Sequence, residues 1–304
     1  MAAGEHLNTA DPARGGLTPG DLTLALLANL AWSLNFLAGK IGVSHFPPLL
    51  FTTLRFSVLL LVLLPWLRWL PGRMRPVLVI SVLLGVLHFG MVFIGLAASG
   101  DIASVAIATQ LYVPFSALLA VLWLGERLDR WRATGIAAAL GGVLVIGFDP
   151  LVFRHLDALA WITGASLVMA VATILMRRLS NVGVLSLQAW IGAVATPSLL
   201  LLSLLLEQGQ MTALRSAGWL DLAAPAYSAL GASLVGHGIV YHLLTRYPVG
   251  LITPLMLLTP VLAVLFGVLF WGDQPTWKLL LGGLLTLVGI AVITVRPVGP
   301  ARTQ

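Results

Sequence analysis

Long apolar stretches separated by short polar breaks dominate the chain. A helix needs about 20 mostly apolar residues to cross a bilayer. Cutting the sequence at Pro, Gly and charge clusters gives ten such stretches: 22–42, 50–70, 77–98, 103–124, 132–148, 158–176, 184–206, 220–245, 249–270 and 277–295. This pattern predicts an all-α integral membrane protein of ten transmembrane helices. The breaks are too short to hold a soluble domain. Residues 1–20 are polar and read as a mobile cytoplasmic tail, and residues 297–304 as a second one.

Composition agrees with the pattern. Hydrophobic residues make up 59% of the 304 and charged residues 9%, against roughly 25% charged in a soluble domain. The net charge of +6 does not form a basic block, so nucleic acid is not an expected partner. Instead the cations set orientation. With a cytoplasmic N-terminus that side collects Arg14, Arg68, Arg73, Arg75, Arg127, Arg130, Arg132, Arg177, Arg178, Arg246, Arg296 and Arg302; the other collects Lys40, Arg154, Arg215 and Lys278. Twelve against four is a positive-inside bias, which puts both termini in the cytoplasm. The absence of cysteine excludes disulfides, thiolate zinc sites and iron–sulfur clusters. His237 and His242 are five residues apart and off-face for a shared metal. The expectation is therefore no metal and no cofactor, in a chain whose ten spans suffice for a monomer.

The chain repeats itself. Pro114, Trp123-Leu124-Gly125-Glu126, Gly135 and Gly142 are echoed by Pro260, Phe270-Trp271-Gly272-Asp273, Gly282 and Gly289. Domain boundaries follow at 21–149 and 150–296. Five spans is an odd number, so the second copy enters the bilayer inverted. Inverted repeats typify secondary transporters, whose substrate cavity lies near the midplane and is exposed to each side in turn.

Every Asp and Glu falls in a tail, a loop or a helix end, so no carboxylate sits at mid-depth. Proton- and sodium-driven carriers usually have one there, which favours a facilitator or exchanger; His88 and His237 are the remaining titratable groups inside spans. Polar and aromatic side chains at helical spacing are expected to face the interior. These are Trp32 and Asn35, His88, Thr109-Tyr112-Ser116, Trp190, and Ser233-His237-Tyr241. Taken together, Trp32, Asn35, His88, Tyr112, Trp190, His237 and Tyr241 are the candidate substrate-binding residues. Interhelical packing is the alternative for each one singly. Pro114 and Pro260 are candidate gating elements. Arg55, the one cation well inside a span, is read either as a partner for a substrate carboxylate or, in preference, as an arginine that snorkels or bonds helix carbonyls.

The run Gly125-Glu126-Arg127-Leu128 with Gly135 and Gly142-Val143, its second-half echo, Leu54-Arg55-Phe56 and Trp32-Ser33-Leu34-Asn35-Phe36 resemble the drug/metabolite transporter superfamily, in particular its ten-span EamA-domain members. The resemblance covers residues 20–296 and departs at Asp273, where Glu is more usual. It implies two EamA-like repeats in a bacterial inner membrane and export of amino acids, aromatic or hydrophobic ones first, or of related metabolites. A proton-coupled multidrug or cation exporter of the same superfamily is the alternative, although such exporters commonly use a buried Glu that is missing here. An integral-membrane transferase is a remote third reading, because no acid/base cluster stands at an interface.

Overall fold

The computed structural model describes residues 17–125, 130–179, 182–247, 252 and 255–295. Arg14, Glu126, Arg127, Leu128, Arg296 and Arg302 of the sequence reading lie outside these residues.

The described chain is helical almost throughout. The long elements are α1 (Pro19–His45), α2 (Pro48–Leu63, extended by a tight turn over Leu64–Trp66), α3 (Met74–Ala98), α4 (Ala103–Trp123), α5 (Arg130–Gly147), α6 (Leu156–Arg177) and α7 (Val184–Leu206). α8 runs through Trp219–Tyr227, Ser228–Gly236 and His237–Arg246, and is followed by α9 (Leu258–Trp271) and α10 (Trp277–Val295). Short helices at Pro150–Phe153 and Gln210–Ser216 cover two of the connections.

Among the described residues seven helices are long and apolar enough to cross a membrane: α1, α2, α3, α4, α6, α7 and α10. This is fewer than the ten expected, for identifiable reasons. α9 is apolar, but its described stretch, Leu258–Trp271, is shorter than a span, and most of 248–254 lies outside the described residues. α5 opens on Arg130 and Arg132, and α8 carries Asp221, His237, His242 and Arg246, which dilute their apolar character. The outward surface is nevertheless apolar, with Leu61, Leu122, Leu144, Leu205, Leu269 and Leu284 each more than 60% exposed. Such a belt suits lipid and would be untenable in water.

Two irregular features shape the bundle. α3 and α8 each contain a widened π-type stretch, Val82–His88 and Ser228–Gly236; the first ends at His88 and the second is followed at once by His237. π-type turns free backbone groups and tend to sit at functional positions. Pro114 lies in the turn after the tight Thr109–Leu111 segment of α4, and Pro260 in the first turn of α9. Each proline thus sits where its missing N–H costs little.

Helix packing crosses the sequence halves. α6 lies against α3 and α4, whereas α1 lies against α8 and α9. α5 and α10 pack antiparallel at backbone distance. A Cβ on Gly142 would stand 2.5 Å from the Gly282 carbonyl oxygen, and one on Gly289 would stand 2.5 Å from that of Gly135. The two repeated glycine pairs are therefore partners in a single small-residue seam. Gly125 and Gly272 also match, each ending its helix in the left-handed region, at φ of 66° and 81°.

Candidate substrate cavity

α1 brings Trp32, Asn35 and Phe36 to the space between the two helix groups. α2 adds Arg55, α3 adds His88, Phe89 and Phe93, and α4 adds Thr109, Gln110 and Tyr112. Met169 of α6, His237 of α8, and Met256 and Thr259 at the start of α9 complete much of the wall. The cavity holds about 220 Å³, below the ~300–1,000 Å³ common for small-molecule sites. One small solute fits such a space better than a bulky drug.

The widened turns aim both histidines. His88 Nδ1 is 2.9 Å from the Ala165 carbonyl oxygen, while His237 Nδ1 is within 3.1 and 3.2 Å of the Ala232 and Ser233 carbonyl oxygens. A carbonyl only accepts, so Nδ1 carries the proton in each ring, and a neutral imidazole then offers Nε2 as an acceptor. The Trp32 indole donates to the Ala232 carbonyl at 3.1 Å and meets His237 edge-on, with centroids 5.2 Å apart. Gly236 makes that approach possible, since a Cβ there would lie 2.6 Å from the indole nitrogen.

Arg55 neither snorkels nor bonds helix carbonyls, contrary to the preferred reading of the sequence. It is 1% exposed. One nitrogen donates to Ser233 Oγ at 2.8 Å, and that hydroxyl in turn donates a hydrogen bond to the Ser228 carbonyl oxygen. The guanidinium lies 3.9 Å over the Phe89 ring, with Phe56 and Phe93 further out at 5.2 and 5.5 Å. Its Nε and Nη1 have no partner, nor does the buried Asn35 Oδ1. Two of the expected liners stand elsewhere. Trp190 donates to the Arg68 carbonyl at 2.9 Å and meets Trp69 edge-on, pinning α7 to the chain leaving α2. Tyr241 lies one turn, about 6 Å, beyond His237 and is 55% exposed, outside the cavity wall.

A larger cleft of about 320 Å³ lies between the loops at the Lys40 end and contains Asp101, Asp149, Arg154, His155 and Asp273. Its carboxylates are already engaged in holding helix ends. Asp149 accepts from Leu151 N and from the Thr276 hydroxyl, and Asp101 accepts from Ser104 N. Asp273 Oδ2 accepts from Ile102 N at 2.9 Å and Ala103 N at 3.0 Å. Burial, with the Asp101 charge behind it, raises the Asp273 carboxyl above the usual Asp range, against the pull of those two amides. On the same turn Lys40 Nζ donates to the Leu96 and Ser99 carbonyl oxygens at 2.8 and 2.6 Å. We therefore treat this cleft as architecture. No group of three or more metal-ligating side chains occurs among the described residues.

An apolar helical bundle around a small, polar-studded central cavity defines a membrane transporter. Its sequence matches the EamA-like transporter family twice, over residues 20–148 and 157–295, and the chain belongs to that family. It is similar to the "Probable amino-acid metabolite efflux pump" of Escherichia coli K12, 30% identical over 90% of this chain and 94% of that one. The Salmonella typhimurium protein of the same description is 31% identical, covering 88% and 93%. A solved structure described as "Crystal structure of protein" superposes with a TM-score of 0.58 at 20% identity, over 91% of this chain and 96% of its own. At that identity it shows the fold alone.

Phe89, Phe93, Gln110, Met169 and Met256 also line the cavity and were missed from sequence. Apolar side chains in an apolar span carry no signal of which face they occupy. Gln110 was legible, being an amide inside a span beside Thr109 and Tyr112.

Proposed function

We propose that this protein exports amino acids or closely related metabolites from a bacterial cytoplasm by alternating access. In this reading ten spans cross the bilayer, as inverted repeats over 21–149 and 150–296, with both termini cytoplasmic. The observation that carries it is the central cavity, walled by residues from both halves, small, aromatic and supplied with unused donors and acceptors. The matched left-handed caps at Gly125 and Gly272, the glycine seam of α5 and α10, and the widened turns of α3 and α8, with His88 and His237 at or just after their ends, support the repeat. Pro114 and Pro260, each beside an irregular turn next to the cavity, are the hinges on which the two helix groups move. The efflux-pump relatives support amino acids as substrates. A likeness to bacterial aromatic amino acid exporters of the YddG type makes aromatic and hydrophobic ones the first to try.

Among the described residues no carboxylate lines the cavity, which supports a facilitator or exchanger driven by the substrate's own gradient. Proteoliposome counterflow with labelled amino acids tests the proposal. Uptake with and without a pH gradient should be equal. A strict need for the gradient would favour the proton-coupled reading through His88 or His237. Indifference to every amino acid would remove the substrate class.

A further inference from the structure

Resting on the export reading, we infer that Arg55 determines specificity by holding the carboxylate of the transported molecule, while Asn35 Oδ1 and the histidine Nε2 atoms take its ammonium group. The cavity would then read the zwitterionic head of a free amino acid and leave the side chain to apolar packing.

The argument starts from what Arg55 lacks. Its charge is fully buried, yet it forms no ion pair, and only one of its three nitrogens has a partner. A buried charge left without a counter-charge is strongly unfavourable. Stacking on Phe89 recovers part of that, but a ring face cannot accept the edge N–H groups. No described Asp or Glu lines the cavity to supply the missing charge. A solute that brings its own carboxylate would supply it, through the charge-assisted geometry to which guanidinium is suited.

The opposite polarity is also provided for. Asn35 Oδ1 is buried with no donor, and both histidines have spent Nδ1 on carbonyls. These are acceptors, which suit an ammonium group and do nothing for a second carboxylate. Phe36, Phe93, Val113 and Met169 provide apolar wall for the remainder. A free amine, an amide or a cationic drug would meet the positive charge of Arg55 with nothing to neutralise it.

The test uses the full-length protein in proteoliposomes loaded for counterflow of labelled L-phenylalanine and L-leucine. The competitors are each unlabelled amino acid and its carboxamide. In the wild type the amide should compete about tenfold or more worse than the acid, as expected when a charge-assisted hydrogen bond is lost. Arg55→Gln should lower uptake by a similar factor and bring acid and amide to within about twofold of each other. Arg55→Lys keeps the charge and should retain part of the preference. Melting temperature and elution volume of each variant separate misfolding from lost recognition. Amide competing as well as acid in the wild type would overturn the subsite and leave amino acid export standing, as would an unchanged ratio in Arg55→Gln. Failure of the wild type to take up any amino acid would overturn both.

Discussion

Lys40 and Arg55 are both buried cations in an apolar bundle, yet they stand in opposite conditions. Lys40 closes the end of the structure, and its ammonium is bonded to Leu96 O, Ser99 O and Ser99 Oγ. Arg55 is among the residues lining the central cavity, and two of its nitrogens are buried without a partner. The comparison shows that burial of a charge does not by itself indicate a role; the state of its donors does. A satisfied cation holds structure together; the unsatisfied one beside a cavity is, on our proposal, the group a solute's carboxylate would meet.

The sharpest way to break the comparison is to replace each cation by an apolar side chain of similar length. Lys40→Met should strand the Ser99 carbonyl, while Leu96 O keeps Ser99 Oγ as donor, and should cost about 1–3 kcal/mol, with a clearly lower melting temperature. Arg55→Met should leave the melting temperature unchanged or higher, since the buried charge it removes is costly without a counter-charge, while transport is lost. Equal destabilisation by both would erase the distinction.

Asp273 extends the Lys40 side of it. Asp273→Ala removes the acceptor for Ile102 N and Ala103 N and should cost about 1–3 kcal/mol, whereas Asp273→Asn keeps an acceptor oxygen and should cost less. The two are compared by thermal unfolding in detergent. A smaller effect should appear in pH dependence. The Asp273 carboxyl is raised above its ordinary value of 3.8 in the folded protein, so the folded state holds this proton more tightly than the unfolded one. Its contribution to stability is complete below the ordinary value and is lost as pH rises through the raised one. Asp273→Asn should flatten the unfolding profile across that window.

The smallest effects belong to the two side chains outside the cavity. Trp190→Phe should cost about 0.5–1.5 kcal/mol for one hydrogen bond, with transport kinetics unchanged. Tyr241→Phe should change neither stability nor transport. Altered substrate preference in either would return that residue to the solute's path.

Much of this was legible in the residues. Gly135, Gly142, Gly282 and Gly289 announced a repeat by spacing alone, and the structure gives the reason: they are one seam seen from two sides. Trp32, Asn35, His88, Tyr112 and His237 were legible as cavity wall because polar and aromatic groups in lipid-spanning helices must turn inward. Trp190 and Tyr241 met the same criterion and lie elsewhere, because helical spacing gives a face but not a depth. Arg55 was misjudged for a related reason. The aromatic enclosure formed by Phe56, Phe89 and Phe93 comes from two helices, and no local pattern contains it. The widened turns of α3 and α8 likewise depend on packing between helices.

The short turn joining α3 to α4 is gripped from both sides by opposite charges. Lys40 of α1 holds the carbonyls that end α3, and Asp273, from the connection between α9 and α10, holds the amides that begin α4. Both grips join the α3–α4–α6 group to the group of α1, α8 and α9. Letting go of one alone would leave an ion bare while the other still clamped the turn. The two grips should therefore be lost together on unfolding, and this end of the bundle should melt as one cooperative unit.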